Sequence, residues 1–242
     1  MRRLVLASTL LALTVVGAMV IDAARNRSRG TSEAAPARAR PLVGLQIGHW
    51  RSAEAPRQLR ALRASAGGAT SAGAIESEVS RVIAKLAQRL LQRAGVNVEL
   101  LPTTVPPRYR AAAFVSIHAD GNADPSVQGF KAAASRQDPG GGSAALTAAL
   151  VGRYAARSGL ARNPTITDDM TGYYAFDPGR FRYGVDAGTP AVILETGFLT
   201  SPVDRRAIVE DPEIAARGIA DGVIEFLRLR GALPDAGAGQ LR

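Results

Sequence analysis

Three short apolar runs in this chain each finish on a side chain that can bind a metal or move a proton. LVGLQI runs into Gly48 and His49, FVSIH closes on His118, and TPAVILE closes on Glu195. Runs this apolar, bounded by turn-prone stretches such as ADGNADP after His118, read as buried strands. In open α/β sheets, ligands bind outside the carboxyl ends of the strands. His49, His118 and Glu195 all fall at such ends. Chemistry is therefore expected along one rim of a sheet, and a zinc hydrolase is the reading these residues support.

Between the apolar runs the period changes from strand to helix. From Glu76 to Ala94, Val79, Val82, Ile83, Leu86 and Leu90 recur at helical spacing, and Gly95 suits the residue after the helix end. Asn97–Leu101 reads as a short strand, Ala112–His118 as a central one and Gly129–Ala134 as another. Ser143 is expected to cap a helix that runs to Arg157 and stops at Gly159. Residues 160–190 look irregular, with GYYAF as a short strand. Asp211-Pro212 reads as a helix start, with Ile214, Ile219, Val223, Phe226 and Leu227 facing inward.

Strands alternating with helices predict an α/β fold. The expectation is a single domain with a mostly parallel or mixed central sheet flanked by helices, preceded by an N-terminal hydrophobic segment. The divisions expected are 1–24 for a signal peptide or membrane anchor, 25–40 for a flexible linker, 41–230 for the folded domain and 231–242 for a flexible tail. Residues 51–75 read as a long loop with a helical turn near Pro56–Ala64; loops of this length usually carry function or move.

The net charge of +9 is uneven: residues 1–40 hold seven arginines against Asp22 and Glu33, a balance of +5. A nucleic-acid binder would carry its excess on the fold itself, so nucleic acid is not an expected partner. An anionic wall or membrane surface suits the charge better. Leu4 to Ile21 is an uncharged run of 18 residues behind Arg2 and Arg3, which predicts export with the segment either cleaved or kept as an anchor. Arg25, Arg27 and Arg29 just after the run oppose the usual charge bias for that orientation. The chain has no cysteine, so disulfides, thiolate zinc sites and thiol nucleophiles are excluded.

Neutral imidazole is a common zinc ligand, and His49 and His118 share a position type despite their separation in sequence. Glu76 and Glu78 both open the long helix. Glu76 shares a face with Val79, Ser80 and Ile83 and should point inward, where a carboxylate needs a partner. Glu78 shares a face with Arg81 and Lys85 and should point to solvent. Glu195 ends an apolar strand; it is either a general base with a raised pKa or one half of a buried ion pair with an arginine.

These residues also carry a resemblance. IGH at 47–49, Glu76 opening ESEVSRVIAKLAQRLLQRAG, SIHAD at 116–120 and ETGFLTSPVDR at 195–205 resemble, in order, the zinc-dependent N-acetylmuramoyl-L-alanine amidases of amidase type 3. The likeness spans about residues 42–229. It implies that His49, Glu76 and His118 hold one Zn2+ and that Glu195 is the catalytic carboxylate. It also implies peptidoglycan as partner, and a zinc-activated water that cleaves the bond between N-acetylmuramic acid and L-alanine of the stem peptide. The family usually reads Asp-Pro-Gly-His-Gly at the first histidine, where this chain has Gln46-Ile47-Gly48-His49-Trp50. Loss of that aspartate should weaken the support of the ligand. Trp50 and Arg51 replace small residues, so the substrate rim should differ, with Tyr173 and Tyr174 as further candidates to line it.

Two other functions fit the same residues. A zinc endopeptidase of the wall shares every metal argument, and only its cleavage product differs. A non-catalytic wall-binding or regulatory module would keep the fold without turnover. A serine hydrolase fits poorly, because no G-x-S-x-G occurs. Targeting is expected to come from the N-terminal segment, a protein activator or the domain itself.

Overall fold

The computed structural model describes residues 39–235. The Leu4–Ile21 run, the proposed linker up to residue 38 and the tail from residue 236 lie outside the described residues. Among the described residues, the chain from Arg40 onward forms one compact unit.

Five strands make the central sheet: β1 Leu42–Ile47, β2 Asn97–Leu101, β3 Ala113–Asp120, β4 Lys131–Ala134 and β5 Ala191–Phe198. Their order is β2-β1-β3-β5-β4. Neighbours run parallel except β4, which lies antiparallel to β5 at one edge. The chain leaves β1 for β2 on one side and returns to β3 on the other. The strand order thus reverses between β1 and β3, and α/β folds open a ligand crevice at such a point.

Three long helices cover one face: α1 Glu76–Arg93, α2 Gly142–Ser158 and α3 Pro212–Leu229. Alternation along the strands divides the core. Leu45, Ile47, Val115, Ile117, Val192 and Leu194 pack with Ile83, Leu146, Leu150, Val223 and Phe226 on the helical side. Phe114, Ala133 and Ile193 face the other way, where irregular chain supplies Val105, Tyr109, Met170, Tyr174 and Phe176. Each fully buried Leu or Ile contributes roughly 1.5–3 kcal/mol by leaving water. By the same alternation His118, Lys131 and Glu195 belong to the face away from the helices.

Several expectations are corrected. The buried stripe of α1 runs through Ser80, Ile83, Ala84, Ala87 and Leu91, small residues that let the helix lie close to the sheet. Val82 is 43% exposed and, with Ile75, lines a shallow surface groove. Ser143 does not cap α2. The Asp138 carboxylate accepts from the Ser143 and Ala144 amides at 2.9 Å each, and Ser143 Oγ accepts from the Ala191 amide at 3.0 Å. GYYAF is no strand; Tyr174–Phe176 forms a 3-10 turn. Residues 51–75 hold 3-10 segments at Ser52–Glu54 and Arg57–Ser65 and a ribbon pairing Thr70–Ser71 with Ala74–Ile75. Leu233, in the expected tail, is buried against the helical core.

Candidate active site

His49, Glu76 and His118 converge at the carboxyl edge of β1 and β3. Their ligand-capable atoms all lie within 4.8 Å of one another. His118 Nδ1 is 2.9 Å and His49 Nε2 3.4 Å from the same oxygen, Glu76 Oε1. The imidazoles stand edge to face with ring centres 5.1 Å apart.

Local backbone features bring them there. The Gly48 amide donates to the Ile117 carbonyl at 2.9 Å, which extends the β1–β3 pairing past the last strand residue. A Cβ on Gly48 would fall 2.5 Å from His118 Nδ1, so only glycine fits beside that ring. His49 then adopts a left-handed backbone at φ 55. That conformation costs a non-glycine residue about 1–2 kcal/mol. Across the crevice Gly68, at φ 73, runs against Glu76 and the His49 ring, and a side chain there would collide with both.

The loop does more than overhang the site. The Ser65 carbonyl lies 2.8 Å from His49 Nδ1. A carbonyl only accepts, so it holds the proton on Nδ1 and leaves Nε2 as a lone pair aimed at Glu76. The Ala69 amide donates to Glu76 Oε2 at 2.8 Å. Both supports are backbone groups, which no side-chain pattern announces. They supply the orientation that the missing aspartate was expected to give. Gln46, in its place, binds elsewhere: its amide nitrogen donates to the Thr103 carbonyl at 2.7 Å, and its oxygen accepts from Ser116 Oγ and from the Tyr173 hydroxyl at 2.9 Å.

Charge in the cluster follows from these contacts. Burial alone would lower the pKa of His118, but Glu76, Glu195 and Asp120 outweigh it and raise the value. Burial would raise Glu76, but the hydrogen bond and charge of His118, with help from His49 and the Ala69 amide, pull it below the usual carboxylate range. His49 is lowered, chiefly by burial. The Nε2 lone pair of His49 thus faces an ionised oxygen, two acceptors 3.4 Å apart. A cation relieves that opposition. Two imidazoles and a carboxylate are a suitable donor set for zinc, so the residues present fit a divalent ion.

Glu195 stands in register with His118 on the neighbouring strand. A bulge follows at once, since Asp120 next pairs with Phe198, and bulges beside active sites re-aim side chains. The Thr196 hydroxyl fixes the turn by donating to the His118 carbonyl at 2.8 Å. The residue keeps partial exposure to the cleft, but its Oε2 is enclosed and has no hydrogen-bond partner. Burial, with Glu76 and Asp120 adding and His118 and Lys131 opposing, pushes its pKa up to about 7. No arginine pairs with it, so the ion-pair alternative fails among the described residues.

A cleft of about 590 Å³ opens over these residues. His49, His118 and Glu195 form its floor, and Leu62, Ser65, Met170, Tyr173 and Tyr174 contribute to its walls. Tyr173 sets its ring edge-on to His118 at 5.8 Å. Trp50 and Arg51 do not line the cleft. Trp50 packs against the helical core and Arg51 pairs with Glu54 at 2.9 Å, because a second left-handed residue, Arg51 at φ 60, turns the chain away. The sequence reading missed Lys131, which enters the cleft from β4 and pairs with Asp120. Asp120 lies in the stretch ADGNADP, which its residues mark only as turn-prone. The missed signal was a lone lysine in an otherwise apolar strand, GFKAAA.

The family model for N-acetylmuramoyl-L-alanine amidase matches residues 20–225. The chain therefore belongs to that family. Its activity is that of a peptidoglycan amidase. Solved structures agree in fold. The N-acetylmuramyl-L-alanine amidase Ami1 from Mycobacterium smegmatis is 21% identical, with a TM-score of 0.56 over 79% of this chain and 99% of that one. The amidase AmiC2 of Nostoc punctiforme is 20% identical, with a TM-score of 0.56 over 78% and 97%. The CwlD amidase from Clostridioides difficile, solved with the GerS lipoprotein, is 16% identical, with a TM-score of 0.54 over 78% and 99%. No curated protein sequence matches the chain.

Proposed function

We propose that this amidase is zinc-dependent, with His49, Glu76 and His118 as the metal ligands and Glu195 as the catalytic carboxylate. The observation that carries the reading is the pairing of one imidazole with Glu195 across adjacent strands while the ligand set closes beside them. A bound zinc ion would supply a Lewis acid that makes water a better nucleophile and polarises the scissile carbonyl. His49 presents its Nε2 lone pair, His118 Nδ1 would offer one on giving up the proton it shares with Glu76, and the Ser65 carbonyl and Ala69 amide hold His49 and Glu76 in place. The Glu195 carboxylate, where it borders the cleft, takes a proton from the attacking water as the new carbon–oxygen bond forms. It returns that proton to the amide nitrogen as the carbon–nitrogen bond breaks. A base with its pKa near neutrality is suited to both transfers.

The bond is the one between the lactyl group of N-acetylmuramic acid and L-alanine. The domain acts outside the cytoplasm, delivered or anchored by the Leu4–Ile21 segment, and a protein activator is compatible with this reading. Mass spectrometry of soluble products from purified peptidoglycan tests the reading. Stem peptides beginning with L-alanine are expected. Peptides cut at any other bond would replace the amidase with an endopeptidase.

A further inference from the structure

We propose that Lys131 forms a carboxylate-binding subsite that selects stem peptides with a free carboxylate on their second residue. The proposal rests on the amidase reading and adds a specificity element to it. Lys131 pairs in register with Glu195, which pairs in register with His118. An imidazole, a carboxylate and an ammonium thus stand in one row across three adjacent strands, all on the cleft side of the sheet.

The ammonium is nearly enclosed, with the Lys131 side chain 6% exposed. Two neighbours fix it. Asp120 Oδ2 pairs with Nζ, and the Phe198 ring lies 5.2 Å beneath it. An ammonium has three donors. Asp120 uses one side of the group and the aromatic face another, and Lys131 also lines the cleft. A buried ion pair adds little to stability compared with an apolar residue of similar size. The other side chains of this strand are alanines, so packing alone does not call for a lysine. A cation held this way is prepared for an anionic ligand.

Spacing decides which anion. Strands lie roughly 4.8 Å apart, so Lys131 is about 9.6 Å along the row from His118. Extended peptide advances roughly 3.3–3.6 Å per residue. A substrate with its scissile carbonyl beside His118 and Glu195 therefore brings its second amino acid within reach of the lysine side chain. A carboxylate there meets a charged donor, whereas a carboxamide meets only a polar one.

The test is equilibrium binding, by calorimetry on the zinc-loaded full chain, of L-alanyl-D-glutamate and of L-alanyl-D-isoglutamine, in which that carboxylate is an amide. Neither peptide contains the scissile bond. The acid should bind at least about tenfold more tightly, a difference of about 1.4 kcal/mol. Lys131→Met should erase the preference and Lys131→Arg should keep part of it. Equal binding of the two peptides by the native chain would overturn the proposal without need of any variant. So would a preference that survives in Lys131→Met. Intact discrimination without release of L-alanyl peptides from peptidoglycan would instead strike the amidase reading and leave the subsite standing.

Discussion

His118 and Glu195 face each other across β3 and β5, one hydrogen bond step before the sheet breaks register. The pairing places a candidate ligand and a candidate base at a separation that backbone hydrogen bonds fix. Glu195→Gln keeps the shape and removes the base. Bound zinc should stay at one per chain while turnover falls by about a hundredfold or more. Metal analysis beside a product assay checks this; near-native turnover would remove Glu195 from the mechanism.

The same residue predicts a pH effect on the metal-free chain. Burial, before any neighbour, lifts the folded-state pKa of Glu195 to about 7, above its unfolded value. Between the ordinary carboxylate range and about 7 the folded state holds a proton that the unfolded state has lost. This contribution to stability is complete at low pH and declines as pH rises through about 7. Denaturant melts of the native chain and Glu195→Gln should converge at low pH and separate as pH rises, with the glutamine variant the more stable. Parallel pH profiles would contradict the shift.

The support of His49 comes from a carbonyl, so the identity of residue 65 should matter little. Ser65→Ala is expected to change zinc affinity and turnover by less than about twofold, as for a surface substitution away from special features. Gly68→Val meets both a left-handed backbone and the side chains of Glu76 and His49. It should lose zinc at concentrations that saturate the native chain. Competition with a chelating dye ranks the two. A large effect of Ser65→Ala alone would shift the support from backbone to hydroxyl.

Another buried carboxylate lies outside the His49–Glu76–His118 cluster. Asp204 is fully buried, with one oxygen accepting from the Phe198 and Gly129 amides at 2.8 Å each and the other unpartnered. Burial raises its pKa, and the backbone and Ser201 donors only partly oppose this. Asp204→Asn keeps an accepting oxygen and removes the charge. Its stability relative to the native chain should improve with rising pH above the carboxylate range, since the native carboxylate then ionises in the folded state at a cost. Asp204→Ala should destabilise at every pH, because two buried amides lose their acceptor. Thermal melts from acid to neutral pH distinguish these outcomes.

The rim offers the simplest discrimination. Arg51 is held by Glu54 outside the cleft, so Arg51→Gly, which also suits φ 60, should leave KM within about twofold of native. Tyr173→Phe removes the hydroxyl bond to Gln46 and frees a ring set against His118. It should disturb KM more than Arg51→Gly does. The reverse ranking, from steady-state kinetics on soluble muropeptides, would move the substrate path to the other side of His49.

The strands were legible because their apolar runs are short, continuous and punctuated, and β2 falls where its residues predict. The inward turn of Glu76 was legible from its phase with Ser80 and Ile83. The error over Val82 has a physical source. Bulk at helical spacing resembles a buried stripe, whereas α1 is buried through alanine and serine that allow close approach. The layer from 160 to 190 defied pattern because it packs Met170, Tyr174 and Phe176 without a repeating period. Trp50 and Arg51 were placed at the rim because two successive reversals of the backbone leave no trace in composition. Lys131 was missed because its meaning depends on a strand partner more than sixty residues away.

His49 and Glu76 bracket the segment from Trp50 to Ile75, and His118 ties both to the middle of the sheet. An ion held by all three closes that segment as a covalent bridge would, in a chain that has no cysteine. Loss of the ion would remove that closure and leave the loop to its hydrogen bonds, among them those of the Ser65 carbonyl, the Ala69 amide and Arg205 with Ser71, and to the packing of Ala55 and Leu59. An ion bound there would make the site a removable cross-link as well, and the rate at which a protease nicks this stretch would gauge how much of the enzyme is loaded.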